Sequence, residues 1–242
     1  MPIYLIKISL TRQGNRVAKE IFLNYNRLKS YTLFRNRSEA GKNLAELLRK
    51  YKDKDPIVLA LPRGGVVIGY EVAKALNFPM DVIISKKIGS PHNPEYGIGA
   101  VSEKNSFFID EANYKLLNLK KDQVDILVKL KSEEIDSGIK LFRKGRNLMV
   151  KGKIVILVDD GLATGVTAIA AIKALKRMLA KKVIYASPVC DKKTAKHLET
   201  NFVSVICLEY PNISAIGEHY ENFEQVGDEK VLELLKKARR VV

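Results

Sequence analysis

The chain has 242 residues, of which 46% are hydrophobic, and this suffices for one α/β domain with a buried core that needs no disulfide or metal. No apolar stretch approaches the roughly 18 residues of a membrane-spanning helix, and the N-terminus lacks the basic start and cleavage site of a secretory signal, so we expect a cytoplasmic protein. The net charge of +15 favours phosphates, nucleotides or nucleic acid as ligands, although a lysine-rich solvated surface explains it without any partner.

From about residue 37 onward, short β-branched runs alternate with amphipathic helical stretches. This alternation is typical of βαβ units, so we predict an α/β fold, a Rossmann-like parallel sheet with helices on both faces. Residues 1–33 are basic and poorly patterned, and they could be an edge strand with a short helix or an extension without regular structure. The predicted elements, in chain order, are a helix over 38–51 that Ser38 caps, a strand over 57–61, a helix over 66–77, a strand over 81–85, a long loop over 88–99, an exposed helix over 120–145, a strand over 154–158, a helix over 165–179, a strand over 183–187, a short helix over 194–199, a strand over 203–208 and a helix over 228–240 that Asp228 could cap.

The two cysteines, Cys190 and Cys207, lie far from any CxxC pattern or Cys/His cluster. This spacing favours a reducing environment and excludes a structural zinc site. We therefore expect each cysteine to be a small buried apolar residue.

The first predicted strand ends at the turn Pro62-Arg63-Gly64-Gly65, which opens a helix. The two glycines free the backbone to adopt unusual angles, and Arg63 could pair with a phosphate group. A simple strand–helix turn with a surface arginine is the alternative interpretation.

Two carboxylates, Asp159 and Asp160, stand directly after the apolar strand over 154–158. Ligands of an open parallel sheet lie beyond the carboxyl ends of its strands, so this is a suitable place for a binding site. Carboxylates repel a phosphate but accept hydrogen bonds from neutral hydroxyls, such as those of ribose. A strand-end cap would account for Asp160 alone, but not for both acids together with the loop that follows.

That loop, Ala163-Thr164-Gly165-Val166-Thr167, opens the next predicted helix. Its backbone N–H groups and those at the helix N-terminus can surround a phosphate, and its two threonines add hydroxyl donors. The segment is neither the Gly-x-Gly-x-x-Gly pattern of dinucleotide sites nor the Gly-Lys-Ser/Thr pattern of nucleoside triphosphatases. It therefore predicts a ligand with a phosphate at one end and a diol at the other.

Residues 155–167 read as four apolar residues, two acids, two variable residues, a small residue and Thr-Gly-x-Thr. This pattern is the signature of the type I phosphoribosyltransferases, and the chain resembles that family throughout the motif. Further segments, at 34–41, 61–65 and 223–226 among others, resemble an uncharacterised branch of the family, and the likeness covers about residues 34–240.

The resemblance implies roles for particular residues. It implies that Asp159 and Asp160 hold the ribose hydroxyls of 5-phosphoribosyl-1-pyrophosphate, the phosphoribosyl donor. The remaining implied contacts are Ala163, Thr164, Gly165, Val166 and Thr167 with the 5′-phosphate, and Arg63, Gly64, Gly65, Lys86 and Lys87 with the pyrophosphate. The loop over 88–99 then resembles a mobile lid, in which His92 is a candidate pyrophosphate donor and Glu95 resembles the loop acid of adenine phosphoribosyltransferases. Ordinary solvated loop side chains explain these last two residues as well.

The resemblance also implies a division of the chain into an extension over 1–33 and a phosphoribosyltransferase domain over 34–242. A small variable hood would bind the acceptor. Residues 209–227, approximately, form this hood, and 1–33 is a candidate second part of it. Tyr220 or Phe223 could stack on the acceptor ring, or could pack the hood onto the core.

The implied reaction is displacement of pyrophosphate from the donor by a nucleobase-like acceptor, with Mg²⁺ held mainly by substrate and water. Family members that act on six-oxopurines carry an aspartate where this chain has Ala163, so a six-oxopurine acceptor is not expected. The alternative is a non-catalytic regulator that senses the donor or a nucleotide and binds nucleic acid. A homodimer is a further expectation, since relatives are often dimers and the helix over 120–145 could serve as the contact.

Overall fold

A computed structural model describes residues 34–90 and 96–238. The extension over 1–33, the loop residues 91–95 and residues 239–242 lie outside the described residues, so the expectations for the extension, His92 and Glu95 stay predictions. Among the helices of the described chain, none is both long and apolar enough to cross a membrane.

The described chain contains seven α-helices, two short 3-10 turns and eight strands. Its α-helices are α1 (Arg37–Leu48), α2 (Gly64–Leu76), α3 (Glu111–Leu116), α4 (Lys121–Arg143), α5 (Val166–Arg177), α6 (Lys192–Asn201) and α7 (Asp228–Ala238), with 3-10 turns at Arg49–Lys54 and Ile216–His219. Its strands are β1 (Ile57–Ala60), β2 (Met80–Val82), β3 (Ser85–Gly89), β4 (Gly97–Ser102), β5 (Ser106–Ile109), β6 (Ile154–Val158), β7 (Lys182–Val189) and β8 (Ser204–Glu209).

Five strands form a parallel sheet in the order β2-β1-β6-β7-β8. Successive residues of a strand point to opposite faces, and the buried residues of this sheet accordingly divide between two apolar cores. In β6, Ile156 and Val158 pack in the core that α1, α2 and α7 cover, whereas Val155 and Leu157 pack in the core that α5 and α6 cover. Helices lie on both faces, and the predicted fold class is confirmed.

A second sheet, in the order β3-β4-β5, is antiparallel and was not predicted. The expectation of a continuous loop over 88–99 is wrong, because β3 runs on to Gly89 and β4 begins at Gly97. Glycine usually weakens a strand, but here it permits a close approach of two backbones: a Cβ atom at Gly99 would overlap the carbonyl oxygen of Phe108 in β5.

Helix α1 begins one residue earlier than predicted, and its cap is a different residue. The side chain of Asn36 accepts a hydrogen bond from the backbone N–H of Glu39 at 3.0 Å. The predicted cap, Ser38, lies inside the helix, and its hydroxyl donates to the carboxylate of Glu71 on α2.

The two cysteines are buried, as expected, but the expectation that they are separate is wrong. Cys190 and Cys207 form a disulfide. Their separation of 17 residues gave no sign of this pairing, which arises because β7 and β8 are neighbouring parallel strands. The cysteine pattern therefore no longer supports the expectation of a reducing environment.

Helix α4 is exposed over much of its length, as predicted, but its last turn is anchored. Arg143 is buried and forms an ion pair with buried Glu103 at 2.5 Å, and Glu103 also accepts the backbone N–H of Ile84 at 2.9 Å. Burial raises the pKa of Glu103 above its usual value, although Arg143 opposes the rise. This pair fixes α4 to the start of the antiparallel sheet.

Candidate functional site

The two loops singled out in the sequence, 61–65 and 159–167, follow the carboxyl ends of the adjacent strands β1 and β6. Strand β1 pairs with β6 so that Ala60 lies opposite Val158, and the backbone N–H of Leu61 donates to the carbonyl of Val158 at 2.9 Å. The chain moves from β1 outward to β2 and then returns to β6 on the other side of β1. Ligands of parallel α/β sheets bind where the strand order reverses in this way.

The two glycines after β1 pack one-to-one against the two acids after β6. A Cβ atom at Gly64 would overlap the Oδ2 atom of Asp160, and a Cβ atom at Gly65 would lie 2.9 Å from the Cα atom of Asp159. Neither position has room for a larger residue while the acids stay where they are. The peptide bond between Pro62 and Arg63 at the start of this turn is cis.

Asp159 and Asp160 are in direct contact through the backbone. The N–H of Asp160 donates to Oδ1 of Asp159 at 2.9 Å. Burial raises the pKa of Asp159 well above its usual value, and the neighbouring charge of Asp160 raises it further. The protein thus disfavours ionisation of Asp159 unless hydrogen-bond donors compensate it.

The loop at 163–167 leads directly into the N-terminus of helix α5. Gly165 has a φ of 73° and directly precedes α5, whose first residues are Val166 and Thr167. Backbone N–H groups in the first turn of a helix have no partner within the helix, so they can bind an anion. Thr164 is exposed, and the carbonyl of Thr167 accepts the hydroxyl of Ser85 at 3.0 Å, which ties the loop to β3.

The three basic residues predicted for the pyrophosphate, Arg63, Lys86 and Lys87, do not all lie together. The lysines lie within β3 rather than after a parallel strand, and alternation along β3 separates them. A cavity of about 540 Å³ is lined by Arg63 and Lys86 but not by Lys87. Lys87 instead lies along the hairpin, where its side chain covers Gly97.

Arg63 and Lys86, two of the cations that line this cavity, already have a carboxylate partner. Arg63 pairs with Asp228, the first residue of α7, at 2.8 Å, and Lys86 pairs with Glu134 of α4 at 3.8 Å. Asp228 therefore serves as the partner of Arg63, in addition to beginning the helix it was expected to cap.

An incoming anion would have to compete with Asp228 for Arg63. We expect Asp228→Asn to strengthen the binding of inorganic pyrophosphate about two- to fivefold, because exposed ion pairs contribute roughly 0.2–1 kcal/mol. Asp125→Asn on α4 is the control, since Asp125 forms an ion pair with exposed Lys121 and its replacement changes the net charge equally. Isothermal titration of the two variants checks this, and equal affinities would show that Arg63 does not meet the anion.

Arg37 belongs to the site although the sequence analysis did not select it. Its Nε donates to Oδ2 of Asp160 at 2.8 Å, its Nη1 donates to the carbonyl of Glu224 at 2.8 Å, and its guanidinium lies 3.7 Å from the ring centroid of Phe223. The signal was present: Arg37 is a charged residue on the face of α1 that also carries buried Ala40 and Leu44.

The two aromatic residues proposed for the hood have different surroundings. Tyr220 is buried, and its hydroxyl donates to the backbone carbonyl of Asp160 at 2.7 Å, so it packs the segment onto the motif. Phe223 lines the 540 Å³ cavity together with Gln225 and Val226. Of the two aromatic residues, Phe223 is the one placed to meet a ligand in that cavity.

Comparisons with protein families, curated sequences and solved structures agree on one family. The family model of the phosphoribosyl transferase domain matches residues 32–223. A Mycobacterium tuberculosis protein, found in two strains and provisionally named a phosphoribosyl transferase, is 35% identical over 86% of this chain. The chain spans about half the length of these curated relatives, 47%. The crystal structure of TT1426 from Thermus thermophilus superimposes with a TM-score of 0.71 at 33% identity, covering 85% of this chain and 99% of that one.

Proposed function

This chain belongs to the phosphoribosyltransferase family, and we propose that it transfers the phosphoribosyl group of 5-phosphoribosyl-1-pyrophosphate to a nucleobase-like acceptor other than a six-oxopurine, with release of pyrophosphate. The observation that carries the proposal is the packing of Gly64 and Gly65 against Asp160 and Asp159 at the meeting point of β1 and β6. Two adjacent carboxylates, the N-terminus of α5 and the turn that carries Arg63 thus lie at one edge of the sheet, and this grouping supports the proposal.

In this proposal, each part of the donor has its own group of residues. The acids would accept the two ribose hydroxyls, the loop at 163–167 would bind the 5′-phosphate, and Arg63 with Lys86 would face the pyrophosphate. The bond between the anomeric carbon and the pyrophosphate oxygen breaks with its electron pair on pyrophosphate. An acceptor nitrogen then forms the new bond to that carbon and loses its proton. The protein contributes mainly position and charge stabilisation.

Magnesium is part of the proposal. In residues 34–90 and 96–238, no group of three or more His, Cys, Asp or Glu side chains is arranged to hold a metal ion. Mg²⁺ would therefore be held mainly by donor oxygens and water, as is usual for this ion. When bound, it would neutralise the charge of the leaving pyrophosphate.

Pyrophosphate release tests the proposed activity. The protein is incubated with the donor, Mg²⁺ and a panel of nucleobases, and release is expected with at least one base other than hypoxanthine or guanine. The same protein carrying Asp159→Asn and Asp160→Asn is the control. Normal donor binding without turnover on any acceptor would contradict the enzymatic proposal.

The affinity for the ribose end should depend on pH. Hydroxyls donate to the ionised form of Asp159, and burial next to Asp160 raises the pKa of that carboxyl. Binding of ribose 5-phosphate should therefore strengthen as pH rises through a range above the ordinary aspartate value of about 3.9. Inorganic phosphate is the reference ligand, because it shares the phosphate titration and lacks ribose. Parallel pH profiles for the two ligands would contradict the assignment of Asp159.

A regulator that senses the donor while binding nucleic acid is the second candidate, and it rests on the excess of 42 Lys+Arg over 27 Asp+Glu. Salt-dependent binding to nucleic acid that shifts with the donor would favour it. No binding at low salt would remove it.

A further inference from the structure

Arg37 connects three parts of the site that are far apart in sequence. It lies in the first turn of α1, yet its guanidinium contacts the motif acid Asp160, the backbone of Glu224 and the ring of Phe223. Only 10% of its side chain is exposed. A buried arginine is costly unless its donors are paired, so these contacts explain why the charge is tolerated on the apolar face of α1.

Asp160 is held from several directions at once. Oδ2 accepts from Arg37, the backbone carbonyl accepts from Tyr220, and the backbone N–H donates to Asp159. Gly64 leaves the space that Oδ2 occupies. Since Arg37 already donates to Oδ2, the other carboxylate oxygen, Oδ1, is the one that we assign to a ribose hydroxyl.

We propose that Arg37 is a positioning residue that fixes the carboxylate of Asp160 for the ribose hydroxyls and joins it to Phe223, a wall of the cavity that would receive the acceptor. This inference rests on the proposed function, because it assigns a role within the same site. Arg37 acts through Asp160, and it sets the ribose contribution to donor affinity rather than the phosphate contribution.

The geometry requires arginine rather than any cation. One planar guanidinium donates through Nε to a carboxylate and through Nη1 to a carbonyl while its face lies on an aromatic ring. A lysine ammonium at this position keeps the charge but cannot make both hydrogen bonds and the stacking contact in the same way. Arg37→Lys should therefore retain part of the function that Arg37→Met loses.

Charge provides a second, independent effect. The pKa of Asp159 is raised by burial and by Asp160, and the positive charge of Arg37 opposes that rise. Loss of the charge should move the pH range in which ribose 5-phosphate binding strengthens to higher pH. A residue that only supports the fold would not shift this profile.

The test is isothermal titration of the full chain with ribose 5-phosphate and, separately, with inorganic phosphate. Arg37→Met is expected to weaken ribose 5-phosphate binding about 10- to 100-fold, the range for hydrogen bonds to charged groups, and to change inorganic phosphate binding less than about twofold. Arg37→Lys should fall between Arg37→Met and the wild type. Arg35→Met is the matched control, because Arg35 lies two residues away, is 74% exposed and forms an ion pair with Glu39 outside the site.

The outcomes separate this inference from the proposed function. If the wild type binds no ribose 5-phosphate, the proposed function fails and the inference fails with it. If the wild type binds and Arg37→Met binds equally well with an unchanged pH profile, the inference alone is overturned. If Arg37→Met does not fold, Arg37→Lys decides, and wild-type affinity for ribose 5-phosphate in that variant overturns the inference.

Discussion

Replacement of both Asp159 and Asp160 by asparagine is expected to abolish binding of the phosphoribosyl donor while the fold stays intact. Each carboxylate would accept a ribose hydroxyl, and hydrogen bonds to charged groups contribute roughly 1.5–3 kcal/mol each. Loss of both corresponds to a decrease in affinity of about 10² to 10⁴-fold. Calorimetric titration with the donor and Mg²⁺ measures it, and unchanged affinity would show that the loop has been misinterpreted.

The single variant Asp159→Asn separates binding from stability. The pKa of Asp159 is raised in the folded protein by burial and by Asp160. The folded state therefore holds this proton more tightly than the unfolded state, and stability is lost as pH rises from the unfolded pKa of about 3.9 through the raised value. Asparagine does not ionise, so the variant should melt at a higher temperature than the ligand-free wild type at neutral pH, even though its donor affinity is lower. Thermal unfolding followed by circular dichroism measures whether the melting temperature of the variant is higher or lower than that of the wild type.

Gly64→Ala is expected to cause the second large loss. The added methyl group would overlap Oδ2 of Asp160 and lie 2.9 Å from Nε of Arg37. The ion pair between those residues must then open or shift, and the carboxylate leaves the position in which it would meet ribose. We expect donor affinity to fall at least about tenfold, since misplacement of a binding group by about 1 Å can cost two orders of magnitude.

Gly152→Ala is the control for Gly64→Ala. Gly152 has a φ of 73° and no atom within 4 Å of an added Cβ, so its replacement introduces backbone strain without a steric clash. It should lower stability by about 1–2 kcal/mol and leave the dissociation constant for the donor unchanged. Wild-type donor affinity in Gly64→Ala would mean that the contact between Gly64 and Asp160 does not determine how the donor binds.

The parallel sheet and the position of the motif loop after β6 could be predicted because their signals are local. A continuous apolar strand directly before two acids and a Thr-Gly-x-Thr loop determines both the strand and the placement of the loop at its carboxyl end. The observed β6 spans Ile154–Val158, the same residues as predicted. No long-range information was needed for this part.

The features that were missed depend on contacts between distant segments. Gly97 and Gly99 suggested a loop because glycine is rare in strands, whereas the close approach of β5 requires a glycine at position 99. Lys86 and Lys87 are equivalent in sequence, and only the alternation of β3 places one at the cavity and the other along the hairpin. The role of Arg37 depends on Asp160, 123 residues away, and on Glu224, 187 residues away.

The segment proposed to meet the acceptor is less determined by sequence because it is irregular. Between β8 and α7, the described chain contains one short 3-10 turn and otherwise no regular element. Its placement follows from Tyr220 on the Asp160 carbonyl and from Phe223 on Arg37, which are individual contacts without a periodic pattern. Phe223 and Gln225 are therefore the first positions at which acceptor preference should be examined.

A crystal structure of the protein with 5-phosphoribosyl-1-pyrophosphate and Mg²⁺ would show whether the two acids bind the ribose of the donor. We expect the 5′-phosphate at the backbone N–H groups of 164–167, the ribose hydroxyls within hydrogen-bond distance of Asp159 and Asp160, and the pyrophosphate beside Gly64 and Arg63. A donor bound elsewhere, or one whose ribose does not contact either acid, would contradict it.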